Sequence, residues 1–260
     1  MLFRSLVRLR LVNGSNARIY DLSFDDGRAL HWIATEGGLL DAPVLLRSLS
    51  LAPGQRAEVL VDFSDGRKTT LVTAPDANAS MGGMMGVRGG GTGSLAGGPA
   101  PVLVFEPGLA VAGEARKPFA LQLAKRERVD ASRAIKRRRF TLDMGMGGMG
   151  GGGGLSINGR AFEMGRIDER VRLGDVEIWE VSAQTMAHPF HVHGVHFEVL
   201  RRGGGPAAIR DQGLRDTVLV KEPVELLMRF TQAAREAPFM YHCHILEHED
   251  GGMMGQFATD

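Results

Sequence analysis

Cysteine is almost missing from this 260-residue chain, in which Cys243 is the single one. No internal disulfide can form, so a scaffold held by cross-links is excluded, and cysteine usage does not report the compartment. Net charge is nearly absent as well. The 31 basic and 30 acidic residues leave +1, which offers no electrostatic basis for a nucleic-acid or anionic-membrane partner. Long apolar runs are also lacking. None approaches the roughly 18 to 20 residues of a spanning helix, so no membrane span is expected. Arginines interrupt the first ten residues, Met1 to Arg10, which hold neither an apolar signal core nor a cleavage site. They read as a strand without lead-in, with the expectation that the chain opens in mid-architecture. Helical periodicity is nearly absent throughout.

What is abundant is glycine, 36 residues or about twice its usual share, and methionine, 13 residues that are bunched. Apolar residues at 43% and charged residues at 23% are otherwise globular values, which excludes wholesale disorder and fibrous repeats. The length allows one large domain or two modest ones. Short apolar runs stop at turn signals: Val7–Val12 at Asn13-Gly14, Tyr20–Phe24 at Asp26-Gly27, His31–Thr35 at Gly37-Gly38, and Arg56–Phe63 at Asp65-Gly66. Lys68–Thr73 and Pro101–Phe105 follow. In 56–63, Ala57, Val59 and Val61 alternate with Glu58, Leu60 and Asp62, the two-residue period of a strand. Residues 107–136 carry little turn chemistry, and Lys125 to Arg139 is strongly basic, so this stretch reads as a solvated linker. Strands are expected again at Arg137–Leu142, Leu155–Asn158, Val176–Ser182, His193–Arg201, Thr217–Val220, Val224–Phe230 and Met240–Cys243. The expected fold is all-β, with two antiparallel β-sandwich domains over 1–112 and 136–260 and a linker at 113–135. Met81, Met84 and Met85, then Met144, Met146 and Met149, fall in glycine-rich stretches that read as loops.

Six of the eight histidines lie in two short segments, His188-Pro189-Phe190-His191-Val192-His193-Gly194 and His242-Cys243-His244 with His248, followed by Met253. Successive side chains of a strand point to opposite faces, so His242 and His244 share one face and Cys243 takes the other. A thiolate site and an imidazole site are thereby joined through one backbone step, an arrangement suited to electron transfer between metal centres. On the Cys243 side, His248 and Met253 lie a few residues on, and His188 is available from another strand. Two imidazoles, a thiolate and a thioether are the donor set of a blue-copper site. Zinc is the rival, although structural zinc sites favour more cysteines and have no place for a methionine. On the other face His242 and His244 can meet His191 and His193. Four imidazoles with no carboxylate suit copper better than magnesium, calcium or manganese.

The two segments resemble the C-terminal copper signatures of the multicopper oxidases, and of these the bacterial copper-efflux (cuprous) oxidase and bilirubin-oxidase-like branch. Asn13–Arg18, Glu36–Leu40 and Leu51–Val61 are similar to the middle domain of that family. The resemblance implies two cupredoxin-like Greek-key domains, the second and third of three, with copper ligands only in the latter. It implies His188, Cys243, His248 and Met253 as type 1 copper ligands, His191 as a type 2 ligand, and His193, His242 and His244 as type 3 ligands. It implies that Glu249 takes part in proton delivery to oxygen. The implied reaction is one-electron oxidation of Cu(I) or a phenol-like donor coupled to four-electron reduction of O2 to water, with Cys243 passing electrons through His242 and His244.

The family's trinuclear cluster takes eight imidazoles, four of them from two His-x-His motifs of the first domain. This chain holds four in place, and the leftover His31 and His196 form no such pair. The resemblance therefore implies a missing N-terminal domain or a partner chain. Without it, the alternative is a type 1 copper or electron-transfer module that cannot reduce O2. The soft thioethers of the methionine-rich stretches suit Cu(I), and Met186 and Asp143 are further candidates for electron hand-over to the type 1 site. Gln184 stands where the copper-efflux oxidases carry an acid. A periplasmic location is the family expectation.

Overall fold

The computed structural model describes residues 6–76, 99–106, 122–145, 154–234 and 237–260. Met81, Met84, Met85, Met146 and Met149, and part of the expected linker, lie outside these residues. The chain divides into two compact units, one of Met1–Gly14 with Arg18–Arg126 and the other of Ser15–Ala17 with Glu127–Asp260.

Two-residue alternation builds the first unit. In β6 (Arg56–Asp62), Ala57, Val59 and Val61 are buried and the residues between them only half-buried. This strand lies between β1 (Leu6–Val12) and β3 (Leu30–Thr35), and β4 (Gly38–Leu46) completes the sheet. A second sheet runs β5 (Leu49–Leu51), β2 (Tyr20–Phe24), β7 (Thr69–Thr73), β8 (Ala100–Phe105). The apolar faces enclose Leu22, Phe24, Trp32, Val59, Phe63 and Phe105, with Phe63 stacked on Phe105 at 4.8 Å. Each large apolar side chain taken out of water here contributes about 1.5–3 kcal/mol. In the basic stretch, Arg126 pairs with Asp41 at 2.9 Å and the Leu123 N–H donates to the Asp41 carbonyl, so 123–126 lie along β4.

The second unit is again two sheets. The first comprises β9 (Lys136–Met144), β10 (Leu155–Ile157), β12 (Val176–Ala183), β14 (Phe197–Arg202), β15 (Gly205–Pro206) and β17 (Val224–Arg229), in the order β10-β9-β12-β17-β14-β15. The second comprises β11 (Glu169–Val171), β13 (His188–Val192), β16 (Thr217–Val220), β18 (Phe239–Cys243) and β19 (Met254–Thr259), in the order β11-β19-β18-β13-β16. Phe140, Trp179, Phe190, Tyr241 and Phe257 fill the core between them. Arg138 is buried but not unpaired, since Glu177 accepts from it at 2.6 and 2.8 Å and Glu169 closes on its other side. The fold is all-β, as the alternation implies, and cupredoxin-like, as the family resemblance implies.

Several strands escape the sequence pattern. β4, β5, β11, β13, β15 and β19 carry no clean alternation; β4, β5, β11 and β15 are edge strands, and β13 and β19 each lie next to one. The strand expected at His193–Arg201 begins four residues late: β13 ends at Val192, His193 to His196 form a turn, and β14 runs Phe197–Arg202. Gly194 makes that turn at φ +70°, where a Cβ would also lie 2.6 Å from the Phe239 ring, so this glycine is required twice over. Among the described residues, one short α-helix, α1 (Leu246–Asp250), interrupts the β pattern.

Candidate metal centres

Antiparallel pairing of β13 with β18 brings the two histidine-rich segments together. Phe190 lies opposite Cys243 and His191 opposite His242. After Cys243 the chain turns into α1, which carries His248 back to the thiol, and Gly252 at φ +101° turns it again so that the Met253 carbonyl accepts from the Cys243 N–H at 3.1 Å.

Three donor atoms converge on the buried side. His188 Nδ1 and His248 Nδ1 are 3.1 Å apart, and Cys243 Sγ lies 3.5 Å from each. A triangle with sides of 3.1, 3.5 and 3.5 Å has its equidistant point about 2 Å from each corner, a metal–ligand bond length. All three residues are buried, and Met253 is fully buried in the same core cluster. His188 Nε2 is buried and has no hydrogen-bond partner among the described residues.

The second group forms on the other face. His193 Nε2 and His242 Nε2 are 3.1 Å apart, and a ring nitrogen of His191 completes a trio within 4.8 Å. The His244 ring centroid lies 5.6 and 5.7 Å from those of His242 and His191. His242 Nδ1 lies 3.0 Å from the Cys243 carbonyl, which can only accept; Nδ1 therefore carries the proton and Nε2 is left as a donor to a metal. Glu249 Oε2 is 3.3 Å from the same Nδ1, placed there by α1. His31 and His196 belong to neither group.

Electrostatics favour ligand-competent imidazoles. Burial pushes His188 and His242 down to about 3, helped at His188 by His248 and at His242 by the neighbouring imidazoles. Burial also lowers His193 and His248. The thiol of Cys243 is pushed up to about 12, again by burial first, so the metal-free chain holds it protonated. A stability prediction follows from these signs. Below the ordinary imidazole value of 6.5 the unfolded chain binds protons that the folded chain refuses, so stability falls on acidification toward 3. Each imidazole contributes a slope of up to about 1.4 kcal/mol per pH unit in that window. Above the ordinary thiol value of 9.0 the unfolded chain releases a proton that the folded chain keeps, so stability falls there too. Urea unfolding of the metal-free chain is expected to be most resistant between about pH 7 and 9.

Sequence reasoning missed two residues. His191 Nδ1 lies 2.9 Å from Thr217 Oγ1 and 3.0 Å from the Asp216 carbonyl. Only the pairing of β16 with β13 brings them there, and no local pattern signals it. Met186 packs against the core that holds His188, while Gln184 is exposed. Asp143 Oδ2 accepts from Gly159 N–H at 3.0 Å, and Met144 Sδ accepts from the Thr185 hydroxyl at 3.3 Å.

The fold and the paired donor groups define a cupredoxin-type protein with two candidate metal centres. The sequence profile of the multicopper oxidases matches residues 123–260, and the chain belongs to this family, which implies copper as the metal. Among solved structures it is similar to a laccase-like multicopper oxidase, CueO, from Ochrobactrum sp. (TM-score 0.84, 35% identity, 99% of this chain and 56% of that one). It is also similar to the McoA multicopper oxidase of Aquifex aeolicus (TM-score 0.81, 30% identity, 99% and 56%). Among sequence relatives it is 38% identical to the cell division protein FtsP of Pectobacterium atrosepticum, over 98% of this chain and 51% of that protein. The FtsP of Yersinia pestis is 37% identical over the same shares. The chain thus spans about half the length of the relatives it matches.

Proposed function

We propose that this chain is the C-terminal two-domain portion of a periplasmic multicopper oxidase, which oxidises Cu(I) or phenol-like donors one electron at a time and reduces O2 to water. The observation that carries this reading is the convergence of His188, Cys243 and His248 at metal-bonding distances, one backbone step from the His191, His193 and His242 trio. On this reading His188, Cys243 and His248, with Met253 as the weak fourth ligand, hold type 1 copper. His191 supplies the type 2 site, and His193, His242 and His244 the type 3 pair. Bound copper would supply one-electron chemistry, uptake from the donor at the thiolate site and delivery to O2 at a completed cluster.

The protein's own contribution is positioning. The Cys243 thiol and the His242 imidazole sit on neighbouring residues of β18, and the Cys243 carbonyl also receives the His242 Nδ1–H, so two routes connect the sites. On this reading Glu249, half-buried with its Oε2 3.3 Å from His242 Nδ1, takes part in proton delivery to oxygen. Met186, two residues before His188 and packed against the core, and Asp143 are candidates for electron hand-over to the type 1 site. The remaining four imidazoles come from an N-terminal domain or a partner chain.

The FtsP relatives support a second reading, a cell-division protein whose copper site serves electron transfer or structure alone. Copper reconstitution of the purified chain tests the first. A strong blue absorption with one copper in the thiolate site is expected. A colourless protein that takes up no copper would remove the oxidase reading.

A further inference from the structure

We propose that Thr217 and Asp216 are positioning residues for His191, holding its proton on Nδ1 so that Nε2 is presented to a metal; this rests on the reading of the histidine trio as a metal site. In the register of β13 with β16, His191 lies directly opposite Thr217, so the two side chains share a face. The atoms within hydrogen-bonding distance of His191 Nδ1 are acceptors. The Asp216 carbonyl at 3.0 Å has no proton to offer, and it also takes the Val192 N–H at 3.0 Å. The Thr217 hydroxyl at 2.9 Å is committed as a donor to Asp216 Oδ1 at 2.8 Å, so toward the imidazole it accepts. Asp216 Oδ1 itself stands 3.5 Å from Nδ1. The proton therefore resides on Nδ1, and Nε2 carries a lone pair.

A carboxylate, a hydroxyl and an imidazole thus form a chain that ends at the metal-facing nitrogen. The charge of Asp216, passed through the Thr217 hydroxyl, makes Nε2 a better donor, and the stiff β-branched side chain holds the ring orientation. Thr217 is fully buried, where valine would pack as well and would need no hydrogen-bond partner. Nor is such support a general feature of the histidines here. Nε2 of His188, the outer nitrogen of the thiolate site, has no acceptor among the described residues.

The test compares the chain with Thr217→Val and Thr217→Ser. Long-range nitrogen–proton spectra of the metal-free protein at neutral pH report the His191 tautomer. The parent and Thr217→Ser should show the Nδ1–H form alone, and Thr217→Val a mixture with Nε2–H. Zinc titration followed on the side-chain resonances of His191, His193 and His242 separates this trio from the thiolate site. The apparent affinity should fall by about 10- to 100-fold in Thr217→Val and recover in Thr217→Ser. An unchanged tautomer together with affinity within twofold of the parent would overturn the proposal. If the parent binds no zinc at the trio, the metal-site reading fails, and the tautomer spectra alone decide whether Thr217 positions His191.

Discussion

Cys243→Ser is expected to abolish the blue absorption of the copper-loaded chain completely, while the metal-free fold persists. On the proposed reading, the colour comes from charge transfer between copper and the one thiolate the chain contains, and a serine hydroxyl is a far weaker, harder ligand. The fold should survive because the change is nearly isosteric, and the Ile245 N–H that lies 3.5 Å from Sγ keeps an acceptor in the new oxygen. The cost of a buried hydroxyl, about 1–3 kcal/mol without full pairing, is within the stability of a typical domain. Visible spectra with a copper count measure the first outcome, and urea unfolding the second. Met253→Leu supplies the contrast. A thioether is the weak member of the set, so colour should persist with an altered reduction potential.

The second large effect concerns oxygen. The chain alone should show no O2 uptake on a phenolic donor even when blue, because it brings four of the cluster's eight imidazoles. Joined to a domain that carries two His-x-His pairs, it should bind about four coppers and consume O2. The change is from nothing to turnover, which makes it decisive. Four coppers and O2 consumption by the isolated chain would mean that something else, such as a second copy, completes the site, and the account of the chain as half an oxidase would be wrong. A completed chain that binds copper but never consumes O2 would favour the reading carried by the FtsP relatives.

Much of this was legible before the structure. The alternation of Ala57, Val59 and Val61 is visible in the sequence and recurs as the buried face of β6. Bunched histidines around one cysteine marked the segments that the structure brings together. The short, irregular edge strands β5, β11 and β15 were not legible, because two or three residues cannot display a period. The turn at His193–Gly194 was missed for a different reason: Val195, Phe197 and Val199 continue an apolar alternation across it, and the break is set by the glycine's backbone and the Phe239 ring.

The sequence by itself determined the fold class and the separation of the Cys243 thiol from the His242 imidazole. The first follows from short alternating runs that stop at turn signals and the second from the pleat of a single strand, local signals that need no partner. Only the tertiary structure decided which groups meet. His188 reaches Cys243 across 55 residues of chain, Glu249 reaches His242 because α1 turns back, and Thr217 faces His191 because β16 takes one register rather than another. Register is chosen by the packing of whole sheet faces and the ladder of backbone hydrogen bonds, and a one-residue slip would send every side chain to the opposite face. The donor atoms are written in the segments, but their convergence belongs to the core that holds the strands in place.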